Sequence, residues 1–230
     1  MPRDPNKAKE ALERKQAKRE QRQELKSLAR HTVPGWIERA AGWPFYEVLL
    51  SQSWDKQGGL AGILIARVSP EGKVAAGSFL VDLACLGVKS ATVRLFKTPR
   101  DYTQEMRQKI IRPQPMLAAD VNLVAKILDA GFAYARELGF DPDPSYYQGR
   151  QLIADADPGL SSIQIPLGGL EGKPFFVAGP YDDVPRIMAK LTSAVGPGGF
   201  HYIAPVDPAT ELFLADDTEW LLEEGEDKPG

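Results

Sequence analysis

Residues 59–96, GLAGILIARVSPEGKVAAGSFLVDLACLGVKSATVRLF, constrain the fold of this 230-residue chain more than any other stretch. Residues 62–68 form a run of aliphatic and β-branched side chains. Ser69-Pro70-Glu71-Gly72 follows, with proline suited to the second position of a turn and glycine to one needing positive φ. Residues 74–83 read as the return strand, which makes the pair a hairpin with a four- or five-residue loop. Ile63 and Ile65 point one way and Leu64, Ala66 and Val68 the other. A strand apolar on both faces belongs in the middle of a covered sheet.

The alternation breaks at Val81-Asp82-Leu83-Ala84-Cys85-Leu86-Gly87-Val88-Lys89, and residues 91–96 make a third short strand. Residues 45–51 supply a fourth, preceded by a short amphipathic helix at 36–41 and followed by a turn-like loop at 54–59. Together these segments predict an antiparallel meander in chain order. After Thr98-Pro99 the period changes to about 3.6. A helix is expected over 101–111, stopped by Pro113 and Pro115. Another runs over 117–138, with Val124, Ile127, Leu128, Gly131, Ala135 and Leu138 on one stripe and Gly139 closing it. Asp143, with Pro144 in the first turn, caps a third helix reaching about residue 153. Residues 175–178 read as a buried strand, 179–195 as a helix together with its start and 200–204 as a strand, a β-α-β ending expected as a small two-stranded addition to the main sheet.

The fold class is therefore α+β: an antiparallel β-meander packed against helices, with a basic N-terminal helical arm (1–31), one domain (32–205) and an acidic tail (206–230). The net charge of −3 conceals this polarity. Residues 1–31 hold ten Lys/Arg against five Asp/Glu; residues 206–230 hold one Lys against nine Asp/Glu, and 32–205 balance to zero. The arm is composed of strong helix formers with too few apolar residues to join a core. Its Lys7, Lys9, Arg14, Lys15, Lys18, Arg19, Arg22 and Lys26 are placed to meet phosphates, against the alternative of a solvated helical extension. In the tail, apolar groups around Phe213, Trp220 and Leu221 sit among acids, a pattern suited to docking on a basic, grooved surface.

A hydrophobic fraction of 43% supports one good-sized core or two small ones. No run of about 18 apolar residues is present to cross a membrane, and a charged N-terminus without an apolar segment argues against a secretory signal. One cysteine and two histidines leave neither a disulfide framework nor a zinc-finger spacing. The expectation is a cytoplasmic protein with no metal and no cofactor. The glycines near Lys173 do not make a phosphate loop, because Leu167 stands where the first glycine belongs and Pro174 where the magnesium-binding hydroxyl belongs.

Two readings apply to the break at 82–89. In one, Asp82, Cys85 and Lys89 form a reactive cluster, joined by His201 as a His–Cys–Asp set for nucleophilic catalysis in a small hydrolase or nuclease. In the other, Asp82 caps a turn, Cys85 is a small buried hydrophobe and Gly87 a bulge. An acid at the rim of a buried sheet must in either case be paired, hydrogen-bonded or shifted in pKa, and Lys89 is the expected partner. Asp182 and Asp183 likewise divide between a divalent-ion site and helix capping.

The segments V-D-L-A-C-L-G-V-K, Y-A-R-E-L-G-F-D-P-D-P and G-K-P-F-F-V-A-G-P-Y-D-D resemble a family of uncharacterised bacterial proteins. The resemblance covers roughly residues 40–205 and implies a bacterial cytosolic protein with one folded unit. It carries over no functional residue. Function then rests on three expectations: an interaction protein contacting RNA, a ribonucleoprotein or a protein partner through its charged extensions; an enzyme using Asp82, Cys85, Lys89 or His201; or an assembly partner docking through the Trp220 tail.

Overall fold

The structure is a computed structural model and describes residues 34–56 and 60–203. Strands β1 (Phe45–Ser51), β2 (Leu60–Val68), β3 (Val74–Asp82) and β4 (Gly87–Phe96) form the antiparallel meander in chain order. A short strand β5 (Met116–Ala118) adds at the far edge, giving the order β4-β3-β2-β1-β5. The β2–β3 hairpin pairs Val68 with Val74 and Ile63 with Phe79. Its turn closes through Ser69, whose hydroxyl accepts the Lys73 N–H at 3.1 Å, and through Gly72 at φ 81°.

Both faces of β2 are covered, as its sequence requires. Ala61, Ile63 and Ile65 pack with Phe79, Val81 and Leu50 beneath α1 (Gly35–Ala41), α3 (Val121–Glu137) and α4 (Tyr146–Arg150). Leu64 and Ala66 pack with Val74, Ala76 and Phe96 against Tyr102 and Met106 of α2 (residues 99–111). Helix α2 spans residues 99–111 as an α-turn, a π-helical turn at Thr103–Arg107 and a second α-turn. The Thr98 hydroxyl caps it by accepting the Asp101 N–H at 3.1 Å.

Helix α3 begins at Val121, four residues later than the stripe suggests. The Asp120 carboxylate takes the N–H groups of Asn122 and Leu123 and fixes the start there. Pro113 and Pro115 cannot donate backbone hydrogen bonds, and residues 116–118 remain extended as β5. Residues 143–153 divide into α4 and a 3₁₀ turn, Gln151–Ile153. Asp143 accepts the Ser145 N–H at 2.8 Å and so shapes the approach to α4. Strand β4 starts at Gly87, ahead of the expected 91, with a register irregularity between Leu80 and Val81.

The ending is β6 (Phe175–Val177), α5 (Val184–Val195) and β7 (His201–Ile203). Asp183 caps α5 by accepting the Arg186 N–H. Strands β6 and β7 pair in parallel as a sheet of their own, separate from the five-stranded one. They dock on the turn after β3: the Phe175 N–H reaches the Ala84 carbonyl at 3.0 Å and the Gly168 N–H the Leu83 carbonyl at 2.9 Å. A third apolar cluster seals that junction from Cys85, Leu86, Ala135, Leu138, Phe140, Phe176 and Leu191. Among the described residues, no helix is long and apolar enough to cross a membrane. The arm and tail positions named above lie outside the described residues.

Candidate functional site

The residues with chemical potential gather where β3 ends. Asp82 is the last residue of β3 and is 6% exposed. One carboxylate oxygen accepts the Ala84 N–H at 2.8 Å and the Cys85 N–H at 3.0 Å, which holds residues 83–86 in the turn leading to Gly87. Burial raises the Asp82 carboxyl above its ordinary range; the Cys85 and Ala84 N–H groups and the Lys89 charge pull it part of the way back.

Lys89 bonds elsewhere than expected. Its ammonium meets Asp182 at 2.8 Å, across 93 residues of chain, and acts on Asp82 through charge alone. Lys89 sits two residues into β4 from the Gly87 turn, facing the loop before α5. The same Asp182 oxygen that receives Lys89 accepts the Gly179 N–H at 2.9 Å. Burial by itself would raise the Asp182 carboxyl; the Lys89 and Gly179 bonds together outweigh it and hold the group below its ordinary value. The aspartate pair at 182–183 thus divides its work, one residue fastening the loop to the sheet and the other capping α5. Among the described residues, no group of three or more His, Cys, Asp or Glu is arranged to hold a metal.

Cys85 is wholly buried. Burial, then the Asp82 charge, push its thiol well up, and Lys89 opposes them too weakly to restore it. A neutral, enclosed thiol is a poor nucleophile, since reactivity belongs to the exposed thiolate. Tyr134 of α3 stands in the same region, pushed up to about 12 by burial and then by its neighbours Cys85 and Asp82. Its hydroxyl is buried without a hydrogen-bond partner among the described residues. No feature of the sequence singled it out, because on α3 it reads as one more residue beside the apolar stripe.

His201 does not join this group. It lies on β7 opposite Phe175 of β6, and its backbone N–H donates to the Pro174 carbonyl at 2.9 Å. Its Nε2 is buried without a hydrogen-bond partner among the described residues. His201 neighbours Glu171, whose carboxyl is held low first by its bond to Lys173. The structure therefore brings Asp82, Cys85, Lys89, Tyr134 and Asp182 together, with Asp82 engaged in the turn, Cys85 sealed and Lys89 paired.

A second polar centre went unread in the sequence. Arg67 of β2 is 3% exposed. Its guanidinium donates to the Leu152 carbonyl at 2.6 Å, to the Trp43 carbonyl at 2.5 Å and to Asp155, and lies over the Phe45 ring at 3.6 Å. It fastens β1, the end of α1 and the 3₁₀ turn to the sheet. In sequence it is a single charge in an apolar run, with nothing to distinguish a buried fork from an exposed edge.

Compared with protein-family models, curated proteins and solved structures, the chain matches none of them.

Proposed function

We propose that this chain is a non-enzymatic interaction protein of the cytoplasm that contacts RNA or a ribonucleoprotein through its charged extensions. The observation that carries the reading is the segregation of charge: ten Lys/Arg against five Asp/Glu in residues 1–31, and nine Asp/Glu against one Lys in residues 206–230. A segment that is basic and poor in apolar residues has little to bury and much to offer a phosphate backbone. The geometry at residues 82–89 favours this reading over the enzymatic one. Each group a hydrolase would need there already serves the fold, Asp82 as a turn cap, Cys85 as packing and Lys89 as half of an ion pair.

The test is fluorescence anisotropy with a labelled oligouridylate, using the full chain and a chain lacking residues 1–31, over a salt series. The full chain is expected to bind with an affinity that falls linearly in log–log form with salt, and the shortened chain to bind at least tenfold more weakly. Equal binding by the two chains, or no binding by the full chain at low salt, removes the proposal.

A further inference from the structure

The balance of zero over the middle of the chain hides a second segregation of charge. Residues 94–112 hold six Lys/Arg against two Asp/Glu, residues 113–203 hold six against ten, and residues 34–93 hold five of each. The first stretch is the end of β4 and helix α2, which cover one face of the main sheet. The second includes α3, α4 and α5, with α3 and α4 covering the opposite face. Eight of the ten acids of the second stretch lie outside those three helices, which hold five Lys/Arg against two Asp/Glu, so the acidic excess sits in caps, turns and loops.

Helix α2 turns Tyr102 and Met106 into the core and leaves Arg100, Gln104, Glu105, Gln108, Lys109 and Arg112 exposed. Two of the six cations in this stretch are committed, Arg94 to Glu105 and Arg107 to Glu47. Lys97, Arg100, Lys109 and Arg112 have no ion-pair partner among the described residues. With Glu105 engaged by Arg94, the exposed stripe Arg100-Gln104-Gln108-Arg112 offers hydrogen-bond donors; Asp101, half-buried in the first turn beside Arg100, is the acid of this stretch without an ion-pair partner among the described residues. Gln104, Gln108, Lys109, Ile111 and Arg112 line a concavity of about 800 Å³.

Helix stability explains only part of this pattern. Lys109 and Arg112, near the helix C-terminus, complement the helix dipole. Lys97 and Arg100 lie at the N-terminal end, where a cation meets the positive pole and is disfavoured. Their placement makes sense if an external anion meets the whole length of the helix. From Arg100 to Arg112 the face runs roughly 18 Å at the ordinary helical rise, enough to follow several successive phosphates of one strand. Arginine, lysine and glutamine are the side chains that contact phosphate oxygens. The π-helical turn in the middle of this helix is a feature often retained at functional positions.

We propose that the outward face of α2, with Lys97 beside it, is a binding surface for the phosphate backbone of single-stranded RNA. This rests on the polyanion reading of the arm and extends it to the folded domain. The arm and this face are expected to engage the same strand.

The experiment uses the labelled oligouridylate with four chains: the full protein, the full protein with Lys109→Glu and Arg112→Glu together, the chain lacking 1–31, and the chain lacking 206–230. Circular dichroism melting checks that the exposed double variant folds. The proposal expects the double variant to bind at least tenfold more weakly than the full protein, with a salt slope shallower by about 1.4, two single-strand phosphate contacts. The chain lacking 1–31 keeps weak, salt-sensitive binding that the same two substitutions abolish. Unchanged affinity and slope in the double variant, with binding lost on removal of 1–31, overturn the α2 face and leave the arm reading standing. A full protein that does not bind overturns both. If the two substitutions matter only after residues 206–230 are removed, the acidic tail is the occupant of the face in the intact chain, and the RNA assignment falls.

Discussion

Asp82 is a carboxylate whose hydrogen-bonding role and whose charge pull in opposite directions. Its oxygen satisfies two buried N–H groups, while its ionisation is opposed by burial. Asp82→Asn keeps an acceptor oxygen and removes the charge, and is expected to stay within about 1 kcal/mol of wild type or to gain stability. Asp82→Ala strands the Ala84 and Cys85 N–H groups and is expected to cost about 2–4 kcal/mol. The pH dependence has a definite sign. A carboxyl whose folded pKa is raised is protonated in both states below the ordinary value of 3.8, and its ionisation opposes folding above it. The advantage of Asp82→Asn over wild type therefore grows as pH rises from 3.8 through the folded pKa and then levels. Asp182 behaves oppositely: its contribution is present above 3.8 and is lost as pH falls through its lowered folded pKa. Urea melts of wild type and both variants across acidic pH measure this; an Asn variant as damaged as the Ala variant would show that the charge itself holds the turn. The capping role of Asp82 was readable in the sequence, as a short acid at a break in strand alternation. Its separation from Lys89 was not, because Asp182 lies 93 residues further along.

Elements whose periodicity spans several turns or pairs were legible, and elements fixed by one local contact were not. The stripe on α3 is legible because Val124, Ile127, Leu128, Gly131 and Ala135 recur at helical spacing and are all buried. Its start depends on a single side chain, Asp120, and β5 on three residues between a proline and a cap; neither has a period to detect. The contact between α3 and β4 is of this local kind and is made by missing side chains. A Cβ on Gly87, at φ 64°, would stand 2.8 Å from the Gly131 carbonyl and 2.5 Å from the Ala135 Cβ. Gly139 has φ 81° with nothing within 4 Å of the same position. Gly139→Ala is expected to cost about 1 kcal/mol, for its backbone conformation alone. Gly87→Ala adds overpacking of the helix against the sheet and is expected to exceed about 3 kcal/mol. Equal losses in paired urea melts would mean that α3 moves aside freely and that the close approach does not hold it to β4.

At the scale of the whole molecule, alternation and helical stripes conveyed which layers form, and chain order conveyed how the meander pairs. The placement of charge on those layers depends on which elements share a face. So does the independence of the last sheet: β6 and β7 were readable as strands, and nothing in three-residue segments says whether they extend the main sheet or stand apart. Standing apart has a consequence for stability. Among the described residues, the β6–α5–β7 unit joins the rest through one small apolar cluster, the Lys89–Asp182 pair, the Lys190 ammonium on the Gly139 carbonyl and a few backbone bonds to residues 83 and 84. Units with few buried contacts open below the global unfolding free energy. Cys85 lies in that junction, so its thiol reports the opening. Thiol labelling in low urea is expected to proceed with a smaller urea dependence than global unfolding. Asp182→Asn, which weakens a part-buried ion pair worth about 1 kcal/mol, is expected to speed labelling roughly fivefold. Hydrogen exchange of the β2 and β3 amides should be unchanged in that variant, because their bonds lie in the other sheet. A labelling rate that carries the full global urea dependence, with β2 and β3 exchange accelerated in step, would instead make the two sheets a single cooperative unit. The Lys89–Asp182 pair would then stabilise the molecule as a whole.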